Sequence, residues 1–134
     1  MTSFAPPAKP AIHHIALLVD DLPRAESFYR DCLGFSVERR WPGPGDGDRS
    51  VWLCLNHGAR LMLERSSPGH PRRAPQGAGW HLIALTIPSE DRANWKAHLA
   101  RHNVPVIEES EFSLYIEDPE GNRVALSHWP DPVG

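Results

Sequence analysis

Hydrophobic and polar positions follow one pattern that occurs twice along the chain. In the first half, residues 12–19 alternate as a strand does, and apolar residues then recur at helical spacing over about 22–33. Three more strands are predicted in this half, at about 35–41, 50–55 and 60–65. The second half repeats the order with a strand at 81–87, a helix from Ser89 to about His102, and strands at about 105–108, 112–117 and 123–128. Each half therefore predicts a β-α-β-β-β unit.

Two pairs of segments support an internal duplication. Ile-Ala-Leu-Leu-Val at residues 15–19 recurs as Ile-Ala-Leu-Thr-Ile at 83–87, and residues 52–63 recur less closely as 115–126. The matched segments keep their order, and a helical stretch follows the first of them in both halves. Two stacked copies of one unit should share a pseudo-twofold axis, so we expect a cleft where equivalent positions of the two sheets meet.

The predicted fold class is α+β: two βαβββ modules that form an open, cup-like mixed β-sheet with the helices on the outside. The modules are assigned to residues 12–65 and 81–129. The other segments are rich in proline or glycine, and we expect a disordered leader at 1–11, a linker at 66–80 and a tail at 130–134.

Strand alternation predicts which side chains face the cleft. Ile83, Leu85 and Ile87 form an apolar face that is expected beneath a helix. Leu82, Ala84 and Thr86 point the other way along the strand and should therefore face the cleft. His13 and His81 are then expected on the helix side as hydrogen-bonded packing residues. The same reasoning places these side chains in the cleft: His14, Trp52, Cys54, Arg60, Met62, Glu64, Ala84, Thr86, Tyr115, Glu117, Arg123, Ala125 and Ser127.

Composition narrows the possible partners. The 134 residues suit one domain, and a formal net charge of −3 gives no basic field for nucleic acid. The chain shows neither an apolar run of about 18 residues nor a signal-peptide pattern, so we expect no membrane span, no secretion and a cytoplasmic location. Cys32 and Cys54 lack a CxxC spacing and are interpreted as reduced, packed thiols.

Four short stretches occur in an order typical of one protein family. They are residues 13–22 (His-His-Ile-Ala-Leu-Leu-Val-Asp-Asp-Leu), Phe28-Tyr29, Leu33-Gly34-Phe35 and Asp118-Pro119-Glu120-Gly121-Asn122. With the repeated plan, they resemble the vicinal oxygen chelate superfamily over about residues 11–129. This superfamily includes glyoxalase I, extradiol dioxygenases, fosfomycin-resistance enzymes and bleomycin-resistance proteins. The resemblance implies the fold but leaves the chemistry open, because this fold hosts several reactions.

The resemblance also implies where a metal would bind. The metalloenzymes of this superfamily take ligands from the first and last strands of each unit, which are here His14, Leu82, Met62 and Ala125. Of these, only His14 carries a donor suited to a hard divalent cation, since a thioether prefers soft metals. We therefore expect no metal cofactor. A divalent metal is the alternative, with Glu64 and Glu117 as rearranged ligands, or with His81 if a strand bulge turns it into the cleft.

Two functions remain as hypotheses. The first is a metal-free binding protein that resembles the bleomycin-resistance branch and holds a small planar organic molecule. Its ligand-binding residues would be His14, Trp52, Met62, Leu82, Tyr115, Ala125 and Ser127. The alternative is an enzyme: a lyase, isomerase or dioxygenase with rearranged metal ligands, or a metal-free acid/base catalyst that uses His14 and Glu117. In both cases a homodimer is expected, because a single open cup leaves sheet edges and an apolar face exposed.

Overall fold

The computed structural model describes residues 7–72, 74 and 77–133, which form two four-stranded mixed sheets. The predicted α+β class and the two-module plan are confirmed. The predicted leader at 1–11, linker at 66–80 and tail at 130–134 each include residues outside the described part of the chain. No helix among the described residues is long and apolar enough to cross a membrane.

The first module begins with strand β1 (His14–Val19) and helix α1 (Leu22–Ser27). Asp21 caps the helix by accepting a 3.1 Å hydrogen bond from the backbone N–H of Arg24, and a π-helical turn (Phe28–Cys32) continues the helix. Gly34 ends this segment at a φ of +84°, a conformation that favours glycine. The remaining elements are β2 (Ser36–Pro42), β3 (Asp48–Cys54), a 3-10 turn (Asn56–Gly58) and β4 (Arg60–Arg65).

The second module repeats this plan with shorter strands. Its elements are β5 (Ile83–Thr86), a 3-10 turn (Ser89–Asp91), α2 (Arg92–Arg101), β6 (Glu108–Glu109), β7 (Ser113–Glu117) and β8 (Arg123–Ser127). The helix predicted from Ser89 starts later, because a 3-10 turn delays the α-helix to Arg92.

Both sheets have the same topology. The strand orders are β1-β4-β3-β2 and β5-β8-β7-β6, in which β1–β4 and β5–β8 are parallel and the other neighbours antiparallel. The helix-side strand residues form the core, as alternation predicted, and those with little or no exposure include Val19, Val51, Leu53, Leu61, Leu63, Leu114, Ile116, Val124 and Leu126. Among the described residues, β1 and β5 are edge strands, and the uncovered face of each sheet, away from this core, carries both exposed residues such as Leu18 and buried ones such as Ala125.

The turn between β7 and β8 joins the two modules. The carboxylate of Glu120 accepts hydrogen bonds from the backbone N–H groups of Asp20 (2.6 Å) and Asp21 (3.2 Å), where β1 leads into α1. The buried carboxylate of Asp118 accepts one from the hydroxyl of Tyr29 at 2.6 Å. The turn at 118–122 therefore fixes the second module against the first.

Two further predictions about buried groups were wrong. His13 and His81 do not pack beneath helices, because β1 begins at His14 and β5 at Ile83, and both imidazoles are exposed. Cys32 is buried as predicted, but the thiol of Cys54 is exposed at the end of β3. Strand alternation places Cys54 on the sheet face away from the helices, where no described element covers its thiol.

Candidate functional site

Equivalent strands of the two modules pair in the same register. Ile15 of β1 lies opposite Leu61 of β4, and Ile83 of β5 lies opposite Val124 of β8. The residues on the first strands, β1 and β5, are 68 positions apart (83 − 15), and those on the last strands, β4 and β8, are 63 positions apart (124 − 61). These are the same spacings that separate the repeated sequence segments. The repeat is therefore a structural one, and equivalent positions on the two uncovered sheet faces can be compared directly.

On the first sheet, three of the predicted site residues lie together. Trp52 of β3 is directly opposite Met62 of β4, and both are half-buried. The ring of His14 lies beside the indole of Trp52, with centroids 5.4 Å apart and planes tilted by 34°. Nδ1 of His14 is also 3.0 Å from Nδ1 of His13, so one of these nitrogens donates to the other. The result is an aromatic surface with an imidazole at its edge.

On the second sheet, Tyr115 of β7 is opposite Ala125 of β8 at the positions equivalent to Trp52 and Met62. Ala125 is 2% exposed, whereas Tyr115 is half-buried. Ser127 lies two residues further along β8, and its hydroxyl is 2.9 Å from the hydroxyl of Ser113. This face is therefore an aromatic and small-residue surface with hydroxyl groups at one end.

The four family ligand positions carry a mixed set of side chains. His14 and Met62 lie on the first sheet, Ala125 lies on the second, and half-buried Leu82 comes immediately before β5. The β5–β8 ladder begins at Ile83, so no inter-strand pairing fixes the backbone at Leu82. Within the described residues, no group of three His, Cys, Asp or Glu side chains is arranged to hold a metal ion.

Each module also has an arginine–glutamate pair whose arginine begins the last strand of the module. Nε of Arg60 donates to Glu38 at 2.5 Å, and Arg123, the equivalent position on β8, donates to Glu108. The hydrogen bond from Arg60 holds the pKa of the Glu38 carboxyl below its usual value. The guanidinium of Arg123 lies over the ring of Tyr115, with Cζ 4.7 Å from the centroid. In both modules, therefore, the arginine of an ion pair lies on the same sheet face as the aromatic residue.

Sequence reasoning named Arg60 and Arg123 as cleft residues but missed their partners, Glu38 and Glu108. These glutamates are 70 residues apart (108 − 38), whereas equivalent positions of the repeat are 68 or 63 residues apart. A register irregularity between Val37 and Arg39 explains the mismatch, because it lets Glu38 stand out of the β2–β3 ladder. A bulge of this kind has no sequence signal in a strand without glycine.

Glu117, the predicted catalytic carboxylate, ends β7 and is exposed opposite Arg123 of β8. It borders a groove of about 540 Å³ between the first module's helical segment and the chain that follows α2. His14 and Trp52 do not line this groove. His14 and Glu117 therefore have different immediate surroundings, the first beside aromatic rings and the second at a junction between modules.

Comparison with known proteins gives consistent matches. The model of the Glyoxalase/Bleomycin resistance protein/Dioxygenase superfamily matches residues 11–126. Catechol-2,3-dioxygenase of Bacillus subtilis is 30% identical over 109 residues, and the match covers 81% of this chain but 37% of that protein's length. Glutathione transferase FosA of Serratia marcescens is 25% identical over 121 residues, covering 87% of this chain and 79% of that one. In fold, a glyoxalase/dioxygenase structure from Nostoc punctiforme matches with a TM-score of 0.81 at 18% identity, covering 98% of this chain and 99% of that one.

Proposed function

This chain belongs to the Glyoxalase/Bleomycin resistance protein/Dioxygenase superfamily, and we propose that it binds a small planar organic molecule on its uncovered sheet faces without a divalent metal. The observation that carries this proposal is the direct pairing of Trp52 with Met62. A thioether beside an indole occupies a position where the family resemblance implies a metal ligand. Both groups are polarisable and apolar, so they suit an organic ring better than a hard cation.

The remaining ligand positions support the same proposal. Leu82 and Ala125 have no donor atom, which leaves the imidazole of His14 as the one hard-metal ligand of the four. Zinc sites in proteins use at least three protein ligands, so one imidazole does not fit such an ion. We assign His14 instead to the ligand's polar edge. There it can donate or accept one hydrogen bond beside a ring stacked on Trp52, a contact worth about 0.5–1.5 kcal/mol beyond area burial.

The proposal includes a second copy of the chain. Ile12, Leu18 and Trp80 are 67%, 69% and 95% exposed, a large apolar area for a free surface. Ile12 and Trp80 precede β1 and β5 at equivalent positions, 68 residues apart (80 − 12), and strand alternation puts Leu18 on the same face as His14. Because β1 and β5 are also sheet edges, a twofold-related chain placed here would cover the apolar area and enclose the ligand.

An enzymatic function is the second candidate, because two similar proteins are named as a catechol dioxygenase and a glutathione transferase. A metal-dependent version would need rearranged ligands, such as Glu64 or His81 joining His14. Since the β5 ladder starts at Ile83, the chain at His81 is free of strand pairing and could change register locally. A metal-free version would use His14 and Glu117, which would require a substrate long enough to reach both surroundings.

Isothermal titration calorimetry with 2-naphthamide, a neutral planar probe, tests the proposal. Saturable binding is expected, and Trp52→Ala should weaken it about tenfold, equivalent to about 1.4 kcal/mol. Trp129→Ala is the matched control, because Trp129 makes an edge-to-face contact with Phe112 beyond the end of β8 and should not affect binding. The proposal is overturned if no binding occurs, or if binding depends on a stoichiometric Mn, Fe, Ni or Zn ion found by elemental analysis of the same preparation.

A further inference from the structure

The two equivalent arginines, Arg60 and Arg123, differ in what their guanidinium groups contact. Each lies at the start of the last strand of its module, and each contacts one glutamate. A guanidinium has five N–H donors in a fixed fork, so a single glutamate contact leaves most of them available. The remaining surroundings of each arginine decide whether those donors can reach a ligand.

Arg60 keeps its outer edge available. Its Nε donates to Glu38 at 2.5 Å, and one terminal nitrogen is 3.4 Å from the carbonyl oxygen of Gly58, at the long limit for a hydrogen bond. The other terminal nitrogen has no hydrogen bond within the part of the chain that the structure describes. The side chain is 31% exposed, and Arg60 lies directly opposite His14 of β1. The side chain of Arg60 therefore starts beside that of His14, the residue that we assign to the ligand's polar edge.

Arg123 has different contacts. Its guanidinium lies on the ring of Tyr115, a terminal nitrogen donates to Glu108, and its backbone is opposite Glu117. Its Nε is buried and has no hydrogen-bond partner among the described residues, so a ligand cannot reach this donor without rearrangement. The guanidinium of Arg123 thus contacts one carboxylate and an aromatic ring, whereas that of Arg60 contacts one carboxylate and a backbone carbonyl.

We infer that the planar molecule carries a carboxylate, and that Arg60, not Arg123, binds this group through its terminal nitrogens. This inference rests on the proposed function and names the ligand class, an aromatic acid. The terminal edge of a guanidinium matches a carboxylate in two parallel hydrogen bonds, which are stronger than those between neutral groups. With the ring on Trp52, the acid group would lie toward Arg60 and His14.

Other charges on the first sheet modify this interaction without reversing it. Strand alternation places Glu64 on the same face as Arg60, four residues away, and Glu38 neutralises part of the guanidinium charge. Arg39 adds a positive charge opposite Trp52, with its guanidinium 3.8 Å from the Trp41 centroid. Repulsion from Glu64 acts through solvent and is screened by salt, whereas the bond to Arg60 is direct. Arg60 therefore dominates for a carboxylate in contact with it.

Calorimetry with two probes of nearly equal shape tests the inference: 2-naphthoate, which is anionic, and 2-naphthamide, which is neutral. The wild-type protein should prefer the anion about tenfold, equivalent to about 1.4 kcal/mol. Arg60→Met should abolish this preference while leaving amide binding intact, and Arg60→Lys should retain part of it. Glu38→Gln should tighten naphthoate binding, because it frees the guanidinium from its competing carboxylate. If the Arg60–Glu38 pair were only structural, breaking it from either side would change naphthoate binding in the same direction. Opposite effects of Arg60→Met and Glu38→Gln would therefore support direct binding by Arg60.

Two arginine controls make the result specific. Arg123→Met should keep the preference for the anion, and so should Arg49→Met, which removes an exposed charge near the start of β3. If wild-type protein binds both probes equally, or if Arg60→Met keeps the preference, the inference is wrong while the proposed function stands. If Arg123→Met alone abolishes it, the assignment to Arg60 is wrong. If neither probe binds, the proposed function fails, and the inference fails with it.

Discussion

The hydroxyl of Tyr29 in the first module donates a 2.6 Å hydrogen bond to Oδ2 of Asp118 in the second, across 89 positions of sequence. Both residues are buried. Asp118 also accepts hydrogen bonds from the backbone N–H groups of Glu120 and Asn122 and from the side-chain amide of Asn122. Burial, with the charge and hydrogen bond of Asp118, raises the pKa of the Tyr29 hydroxyl, which remains protonated as the donor. Two of the short stretches that carry the family resemblance are thus directly bonded.

Tyr29→Phe should lower the free energy of unfolding. The substitution removes one donor to a buried carboxylate, and the loss of a hydrogen bond to a charged group costs about 1.5–3 kcal/mol. Urea unfolding followed by circular dichroism measures the change. Tyr115→Phe is the matched control, because the Tyr115 hydroxyl makes no hydrogen bond within the described residues. Equal effects of the two substitutions would show that the Tyr29–Asp118 bond contributes nothing.

Glu26 should make stability depend on pH on the acid side. Its buried carboxylate is held by both terminal nitrogens of Arg40 and by Arg30, and the hydrogen bond from Arg40 is the main reason its pKa lies below the ordinary 4.5. Because the folded state favours the ionised form, this stabilisation is present above pH 4.5 and is lost as the pH falls through the lower folded-state pKa.

Glu26→Gln should therefore destabilise the protein at pH 7 by about 1–3 kcal/mol, and the difference from wild type should shrink below pH 4.5. Urea unfolding over a pH series measures both effects. Glu111→Gln, the same change at an exposed carboxylate, should have little effect at any pH. A Glu26→Gln difference that stays constant down to the lowest pH would contradict this explanation.

The sequence was sufficient to predict the fold because the signals were regular. Alternation over 15–19 and 83–87, together with the helical spacing after the first segment, located the modules and the side of each strand that faces the core. The ends of the strands were predicted less accurately. β5 starts at Ile83 instead of residue 81, and β6 has two residues instead of the predicted strand at about 105–108. Strand ends depend on which backbone groups find partners in the sheet, and that is decided by tertiary pairing.

The site was predictable only in part. Trp52, Met62 and His14 lie together because they share one sheet, where alternation and register are local properties. The surroundings of Glu117 were missed because they depend on how the helical segment of the first module packs beside β7. His98 shows the same limit: its Nε2 donates to the carbonyl of Cys32 at 2.7 Å, a contact across the modules. Contacts between modules leave no periodicity in either one.

A homodimer is expected in solution. Light scattering coupled to size exclusion should give twice the chain mass, because Leu18 and Trp80 otherwise present large apolar side chains to water. Leu18→Asp should shift the protein toward the monomer by placing a charge within the buried contact. Val133→Asp introduces the same charge at an exposed apolar residue of the tail and should leave the dimer intact. A monomeric wild-type protein would contradict the prediction.

Removal of metal should leave the protein unchanged. A metal ion that binds only the folded state stabilises it, so EDTA lowers the melting temperature of a protein that holds one. We expect no change in Tm on addition of EDTA, and no stoichiometric Mn, Fe, Ni or Zn in protein purified without chelator. A fall of several degrees would instead support the metalloenzyme alternative, with ligands recruited to His14 from Glu64 or His81.

Ala125→Glu tests which way β8 faces. Ala125 is 2% exposed, and its direct partner on β5, Ala84, is exposed. On a metal-free face, a carboxylate introduced at position 125 must lie beside Tyr115, where the cation that covers the ring, Arg123, is already paired with Glu108. We expect a loss of about 1–3 kcal/mol in stability, or a pKa of the new carboxyl raised by desolvation. Ala84→Glu is the matched control and should cost little, because its side chain reaches solvent.

The same variant separates the two functional hypotheses. If the face remains competent for metal, a carboxylate at position 125 restores a family-like ligand, and uptake of a divalent ion measured by calorimetry should increase. If the face is a metal-free organic binding surface, the carboxylate should weaken 2-naphthamide binding and leave ion uptake unchanged, because one imidazole and one carboxylate supply too few ligands. If Ala125→Glu alters neither stability, probe binding nor ion uptake, position 125 does not line the binding surface, and the assignment of Tyr115, Ser127 and Ala125 to it is wrong.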